Sequence, residues 1–246
     1  MHERVVIITG GGTGIGRATA IQFAGAGARV VIAGRRAAPL EETASVSDRI
    51  VPVPADLLLE ADLERVIQTA IQRWGRIDVL VNNAGSFVQR PLAEIDQQTV
   101  TALFATNVLA PSLLSRAALP ALKASQGSIV NISSTFGHKA APTISHYAAS
   151  KAALEHLTRC WALELAPYRI RVNAVAPGPT ETEILTSSGL PAAVIEQIKR
   201  EESERIPLGR RGTCEDVAAW IVSLSNPAAA WVTGQIVAVD GGLGVT

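Results

Sequence analysis

Val5-Val6-Ile7-Ile8-Thr9-Gly10-Gly11-Gly12-Thr13-Gly14-Ile15-Gly16 is the stretch on which the fold turns. A short β-branched run that ends in a glycine-rich turn is a buried strand handing over to a helix. Glycine lets such a turn close tightly and lets the backbone approach a pyrophosphate at the helix N-terminus. Gly10, Gly14 and Gly16 are the positions where that requirement is sharpest.

Beyond this point, short apolar runs alternate with longer amphipathic or alanine-rich segments. Strands are expected at about Arg4–Ile8, Arg29–Ala33, Ile50–Val53, Ile77–Val81, Ser128–Ile132, Arg171–Ala176 and Ile236–Val239. Helices are expected near Gly14–Ala26, Ala61–Trp74, Gln97–Lys123, Ile144–Leu165 and Cys214–Leu224. Repeated βαβ units with nearly continuous apolar strands predict a Rossmann-like, doubly wound α/β fold, its seven-stranded, mostly parallel sheet covered on both faces. No linker or repeat divides the chain, so residues 1–246 are expected to form a single domain, with a less regular substrate lid at about 182–206.

Length and composition fit this reading. The 246 residues are 48% apolar, enough for a full core, and 22 acidic residues balance 22 basic ones. Without a net field or a basic run, nucleic acid and anionic membrane are poor partners, and a small-molecule substrate is expected. Cys160 and Cys214 have neither metal-site nor disulfide spacing, and no His, Cys and carboxylate pattern suggests a metal. Val5–Ile8 is too short for a signal-peptide core or a membrane span, which predicts a cytoplasmic location.

The end of the second strand reads Ala33-Gly34-Arg35-Arg36. An NAD site would carry a carboxylate there for the ribose 2′-hydroxyl. Two guanidiniums suit a 2′-phosphate instead, so NADP(H) is expected over NAD(H), with Arg35 the leading contact. Asn82-Asn83-Ala84-Gly85 follows the fourth strand, where ligands collect in such sheets, although Asn and Gly also make ordinary turns.

Tyr147 and Lys151 lie four residues apart and share a helix face. A phenol of pKa near ~10 is a poor base at neutral pH, and an adjacent ammonium is expected to favour its ionised form. Ser134, just past the fifth strand, is placed to hold a substrate oxygen against Tyr147. Pro111 has no N–H, so in an α-helix it leaves the Asn107 carbonyl unpaired. That carbonyl either binds a water or marks a simple kink.

Taken together, these motifs resemble the short-chain dehydrogenase/reductase family from Val5 to Gly242, and within it the 3-oxoacyl-carrier-protein reductases and related ketoreductases. The family's glycine motif matches Thr9 through Gly16, including Thr13 and Ile15, and its adenine-site motif matches Asp56-Leu57. Its Asn-Asn-Ala-Gly motif matches Asn82–Gly85, assigning Asn83, Ala84 and Gly85 to the cofactor. By the same resemblance Ser134 orients the carbonyl and Tyr147 exchanges the proton. Lys151 binds the nicotinamide ribose and perturbs Tyr147, while the Asn107 carbonyl holds a relay water. Pro177, Gly178, Thr180 and Thr182 match the segment that meets the nicotinamide amide. The resemblance further implies a homotetramer that uses helices Gln97–Lys123 and Ile144–Leu165 and the last strand.

The expected activity is NADPH-dependent reduction of a ketone. An NAD(P)+-dependent alcohol dehydrogenase is the alternative on the same site, and a cofactor-binding scaffold or regulatory protein is the alternative outside enzymes. An enoyl reductase ranks lower, because the resembling enzymes space Tyr and Lys more widely. Phe87, Phe136, Ile144, Ile184, Leu185 and Leu190 lie on segments able to line an apolar pocket. Arg205, Arg210 and Arg211 suit an acidic carrier protein, an idea weakened by Glu201, Glu202 and Glu204. His146 points about 100° away from Tyr147, and His138 reads as a loop histidine. Lys199–Arg205 reads as a solvated helix face.

Overall fold

Alternate residues of the first strand point to opposite faces of a sheet, and here both sets are apolar, so both faces must be covered. In the computed structural model, which describes residues 1–183 and 191–246, they are. Strands β1 (Val5–Thr9), β2 (Arg29–Gly34), β3 (Ile50–Pro54), β4 (Val79–Asn82), β5 (Ser128–Ile132), β6 (Arg171–Pro177) and β7 (Ile236–Val239) form one sheet. Their order is β3-β2-β1-β4-β5-β6-β7, and every pairing is parallel. The helices are α1 (Gly14–Gly25), α2 (Ala37–Ala44), α3 (Glu60–Trp74), α4 (Gln97–Phe104), α5 (Ala110–Ser125), α6 (Ser145–Leu165), α7 (Ala192–Arg205) and α8 (Cys214–Ser225).

Val5 and Ile7 pack into one apolar layer with Val66 of α3 and Leu114 of α5. Val6 and Ile8 pack into the other with Phe23 of α1 and Ile221 of α8. Asp78, buried just before β4, accepts from the Val5 N–H at 2.9 Å and pairs with Arg76, fixing the start of β1 beside the start of β4. Because β2 and β4 flank β1, the connections leave it in opposite directions, which opens a crevice beyond the C-terminal ends of β1 and β4. The glycine turn after β1 and the Asn82–Gly85 turn after β4 meet there.

All seven expected strands are present, with ends shifted by two residues or fewer. Three helical expectations need correction. The short α2 went unread because Pro39 looks like a breaker, yet in a first turn no intrahelical N–H is required of it. The expected continuous helix Gln97–Lys123 is two helices joined by a π-helical turn, Ala105–Leu109, and it runs on to Ser125. In that turn the Ala110 N–H donates to the Ala105 carbonyl, five residues back, so the chain takes up the missing Pro111 N–H by widening its hydrogen-bond pattern. By length and composition Gln97–Ser125 would also fit a membrane span, but Leu114, Ala118 and Leu122 bury their side of it in the core.

The third correction concerns 182–206. Most of it is the regular helix α7, whose second half is the solvated helix face expected at Lys199–Arg205; buried only at Ile195, the helix has no apolar periodicity to mark its full extent. Residues 184–190, with the expected pocket residues Ile184, Leu185 and Leu190, lie outside the described residues.

Candidate active site

Six strand ends and helix α6 supply the site. At β1, Gly10 (φ 66°) and Gly14 (φ 53°) take left-handed backbone that other residues rarely adopt. A Cβ on Gly16 would lie 2.2 Å from the Gly10 carbonyl oxygen and 2.5 Å from Asn83 Nδ2, so only glycine lets α1 start this close to the turn. Thr13 caps α1 without a side-chain hydrogen bond, which leaves the first-turn N–H groups directed at the crevice for an anion. Ile15 packs partly against the core.

The β4 turn braces the β1 turn. Asn83 Nδ2 donates to the Thr9 carbonyl at 2.8 Å and to that of Gly10 at 3.3 Å, while Thr9 Oγ1 accepts from the N–H groups of Asn83 and Ala84, each at 2.9 Å. The Asn83 side chain is therefore committed to shaping the glycine turn. Leu57 is likewise turned into the core, and Asp56 accepts from the Leu58 N–H, so both shape the turn after β3. Arg35 and Arg36, at the end of β2, are exposed and pair with no carboxylate among the described residues.

At β5, Ser134 is buried, and its Oγ accepts from the Phe136 N–H at 3.2 Å, which caps the 3-10 turn Thr135–Gly137. The same hydroxyl faces the Tyr147 phenol and draws its value down. Tyr147 is half-buried, and its ring stands edge-on to Phe87 with centroids 4.9 Å apart. Lys151 is buried on the next turn of α6, where its Nζ donates to the Ile132 carbonyl at 2.8 Å. A Cβ on Gly85 would sit 3.3 Å from both Lys151 Nζ and Asn107 Oδ1, so the β4 turn lies directly against both groups. Asn107 Oδ1 accepts from the Ser86 N–H at 2.8 Å, and its Nδ2 donates to the Ser86 carbonyl and to Ser150 Oγ. Ser150 in turn donates to the Tyr147 carbonyl at 2.7 Å.

The electrostatics differ from the sequence expectation in one respect. Burial raises the Tyr147 phenol above its ordinary value, and the Ser134 hydrogen bond only partly offsets this. Burial also lowers Lys151 to about 8. The ammonium sits 5.9 Å from the ring centroid and is spent on the Ile132 carbonyl, so in this state it does not pull Tyr147 towards the phenolate. Desolvation works against both charged forms.

At β6, Gly178 lets the chain pass Asp240, which its Cβ would approach to 2.7 Å. Pro177 and Thr180 are buried, and Thr182 lies over the glycine turn, its Cγ2 3.4 Å from where a Gly14 Cβ would be. Arg211 is buried and paired with Glu181, Glu202 and the Thr180 carbonyl, and Arg210 is paired with Asp216. Neither guanidinium is left for a carrier protein. Of the expected pocket residues, Phe87 touches Tyr147, Phe136 is half-buried and Ile144 is buried. His146 hydrogen-bonds its neighbour Ser145. His138 pairs with a buried carboxylate, Glu155, that sequence reading passed over although it lies four residues beyond Lys151 on the same helix face.

A protein-family model described as enoyl-(acyl carrier protein) reductase matches residues 10–244. The chain is 37% identical to a 3-oxoacyl-[acyl-carrier-protein] reductase of Thermotoga maritima, over 99% of this chain and 98% of that one. Among solved structures, a short-chain dehydrogenase/reductase of unknown function from Caenorhabditis elegans, determined with cofactor, superposes with a TM-score of 0.94 at 34% identity, covering 100% of this chain and 96% of its own. A 3-ketoacyl-(acyl-carrier-protein) reductase from Brucella melitensis complexed with NADH superposes at 0.92 with 30% identity, covering 99% of both chains. Likeness of this extent, in sequence and in backbone over nearly the whole length, shows that the chain belongs to the short-chain dehydrogenase/reductase family of oxidoreductases.

Proposed function

We propose that this protein is an NADP(H)-dependent carbonyl reductase that uses Tyr147 as its proton donor. The observation that carries this reading is the meeting of Tyr147 with Ser134 and Lys151 beside a glycine cradle that side chains would fill. A nicotinamide bound in the crevice supplies or takes up the hydride. The remaining work falls to this chain's own residues. Ser134 holds the carbonyl oxygen, and Tyr147 delivers its proton to that oxygen as negative charge builds there. A phenol held in its neutral form is suited to giving a proton. Lys151 keeps a cation near the ring and reaches the ribose side of the crevice. Asn107 fixes the Ser86 backbone and Ser150, holding the β4 loop against α6.

Arg35 and Arg36 support the NADP(H) preference, because no carboxylate occupies the end of β2 and both guanidiniums are free for a 2′-phosphate. The exposed Leu109 in the π-turn, Leu163 on α6 and Trp231 before β7 support self-assembly into a homotetramer. A small ketone as substrate and a cytoplasmic location complete the proposal.

Tyr147→Phe is expected to lower kcat by about 10²–10⁴-fold while NADPH binding is retained, and carbonyl reduction at the wild-type rate would remove the assigned acid. Replacing Arg35 and Arg36 with alanine is expected to weaken NADPH about ten-fold or more in fluorescence titrations and to leave NADH nearly unchanged; equal loss for both cofactors counts against the 2′-phosphate contact. Light scattering should return four times the chain mass, and a monomer would end the tetramer assignment.

Lys151 also sets a pH dependence of stability. Its folded value of about 8 lies below the ordinary 10.5, so the buried ammonium destabilises the fold fully below pH 8, and the cost fades as pH rises through 10.5. Lys151→Met is therefore expected to be more stable than the wild type by about 2 kcal/mol at pH 7, allowing for the lost hydrogen bond to Ile132. The advantage should shrink between pH 8 and 10.5, as followed by chemical denaturation, and a pH-independent difference would refute it.

A further inference from the structure

Helix α6 carries Tyr147, Lys151 and Glu155 at intervals of four, one stripe on one face. The stripe meets three consecutive residues at the end of β5. Lys151 Nζ donates to the Ile132 carbonyl at 2.8 Å, Ser133 Oγ donates to Glu155 Oε1 at 2.9 Å, and Ser134 faces Tyr147. Glu155 is 2% exposed and takes no part in the chemistry above, although a buried carboxylate is costly unless it does something for the fold or the site. Its second partner shows where it acts. His138 Nδ1 lies 3.1 Å from the same oxygen and, facing a carboxylate, must carry the proton.

Ser133 and His138 are the residues on either side of the segment 134–137. Between them, Gly137 lies so close over the carboxylate that a Cβ there would be 2.4 Å from Glu155 Oε1. Asp240 holds the far side of this segment through Thr135 Oγ1 at 2.9 Å. The turn that presents the Ser134 hydroxyl is thus gripped at both ends by one side chain of the helix that bears Tyr147.

We propose that Glu155 is a positioning residue: its carboxylate, by holding Ser133 and His138, fixes the distance and direction of the Ser134 hydroxyl relative to Tyr147. The kinetic part of the test rests on the carbonyl-reductase reading, and the exchange part does not. Three variants are compared with the wild type: Glu155→Leu, which removes both bonds, Glu155→Gln, which keeps shape and an acceptor, and Ser133→Ala, which removes one donor. For each, kcat and KM for a reduced ketone, the NADPH dissociation constant, and amide hydrogen exchange of residues 133–139 are measured.

Glu155→Leu is expected to lower kcat about ten-fold or more, with NADPH affinity held within about two-fold and exchange faster over 133–139 but not over α6. Glu155→Gln should recover most of the rate, and Ser133→Ala should show the same pattern more weakly. A Glu155→Leu protein with wild-type kcat, or with unaltered exchange over 133–139, overturns the proposal. Equal losses of NADPH binding and rate also overturn it, since they indicate general destabilisation. If Glu155→Leu does not fold, Ser133→Ala decides by the same criteria. If the wild type reduces no carbonyl, the functional reading falls, and the exchange comparison alone decides the role of Glu155.

Discussion

The parallel pairing of β4 beside β1, on the side away from β2, is the constraint on which the rest of the structure depends. It sends successive crossovers to opposite faces, forces strands that are apolar on both sides, and leaves a cleft at the reversal. Every group assigned to the site comes from a segment leaving the C-terminal end of a strand near that cleft, or from α6 packed beside it. The other end of the sheet is closed by Asp78 and its partners Val5 and Arg76. Stability and chemistry are therefore segregated to opposite ends of the same strands.

Much of this was legible in the sequence because the relevant signals are local. Val5–Ile8 followed by glycines, and Tyr147 four residues before Lys151, each need only a strand or helix period to be read. What escaped reading depends on surroundings. Pro111 announces a disturbance, but whether the chain kinks or takes a π-turn is settled by the packing of Asn107 against Ser86 and Ser150. The charged helix α7 has no apolar stripe to reveal it. The bonds from the Asn83 amide to the Thr9 and Gly10 carbonyls join two loops far apart in sequence and show only in the fold.

The direction of the Tyr147 perturbation was missed for a similar reason. Spacing brings an ammonium near a phenol, but it gives no information on how dry the site is. Here desolvation outweighs proximity, and it acts on the two partners in opposite directions: the phenol holds its proton more tightly and the ammonium less. The dry site thereby keeps an acid ready beside the Lys151 ammonium, at a cost to the stability of the fold.

The Asn83 brace has a consequence for how such a protein can diversify. Because this one amide ties the loop after β1 to the loop after β4, and Gly16 and Gly85 leave no spare volume on either side, neither loop can lengthen or drift unless the other changes with it. Two coupled loops accept far fewer neutral substitutions than two independent ones. Variation in what the protein recognises is thereby channelled away from these two loops to the stretch beyond β6, so descendants of this chain can change their substrate while inheriting the cofactor cradle intact.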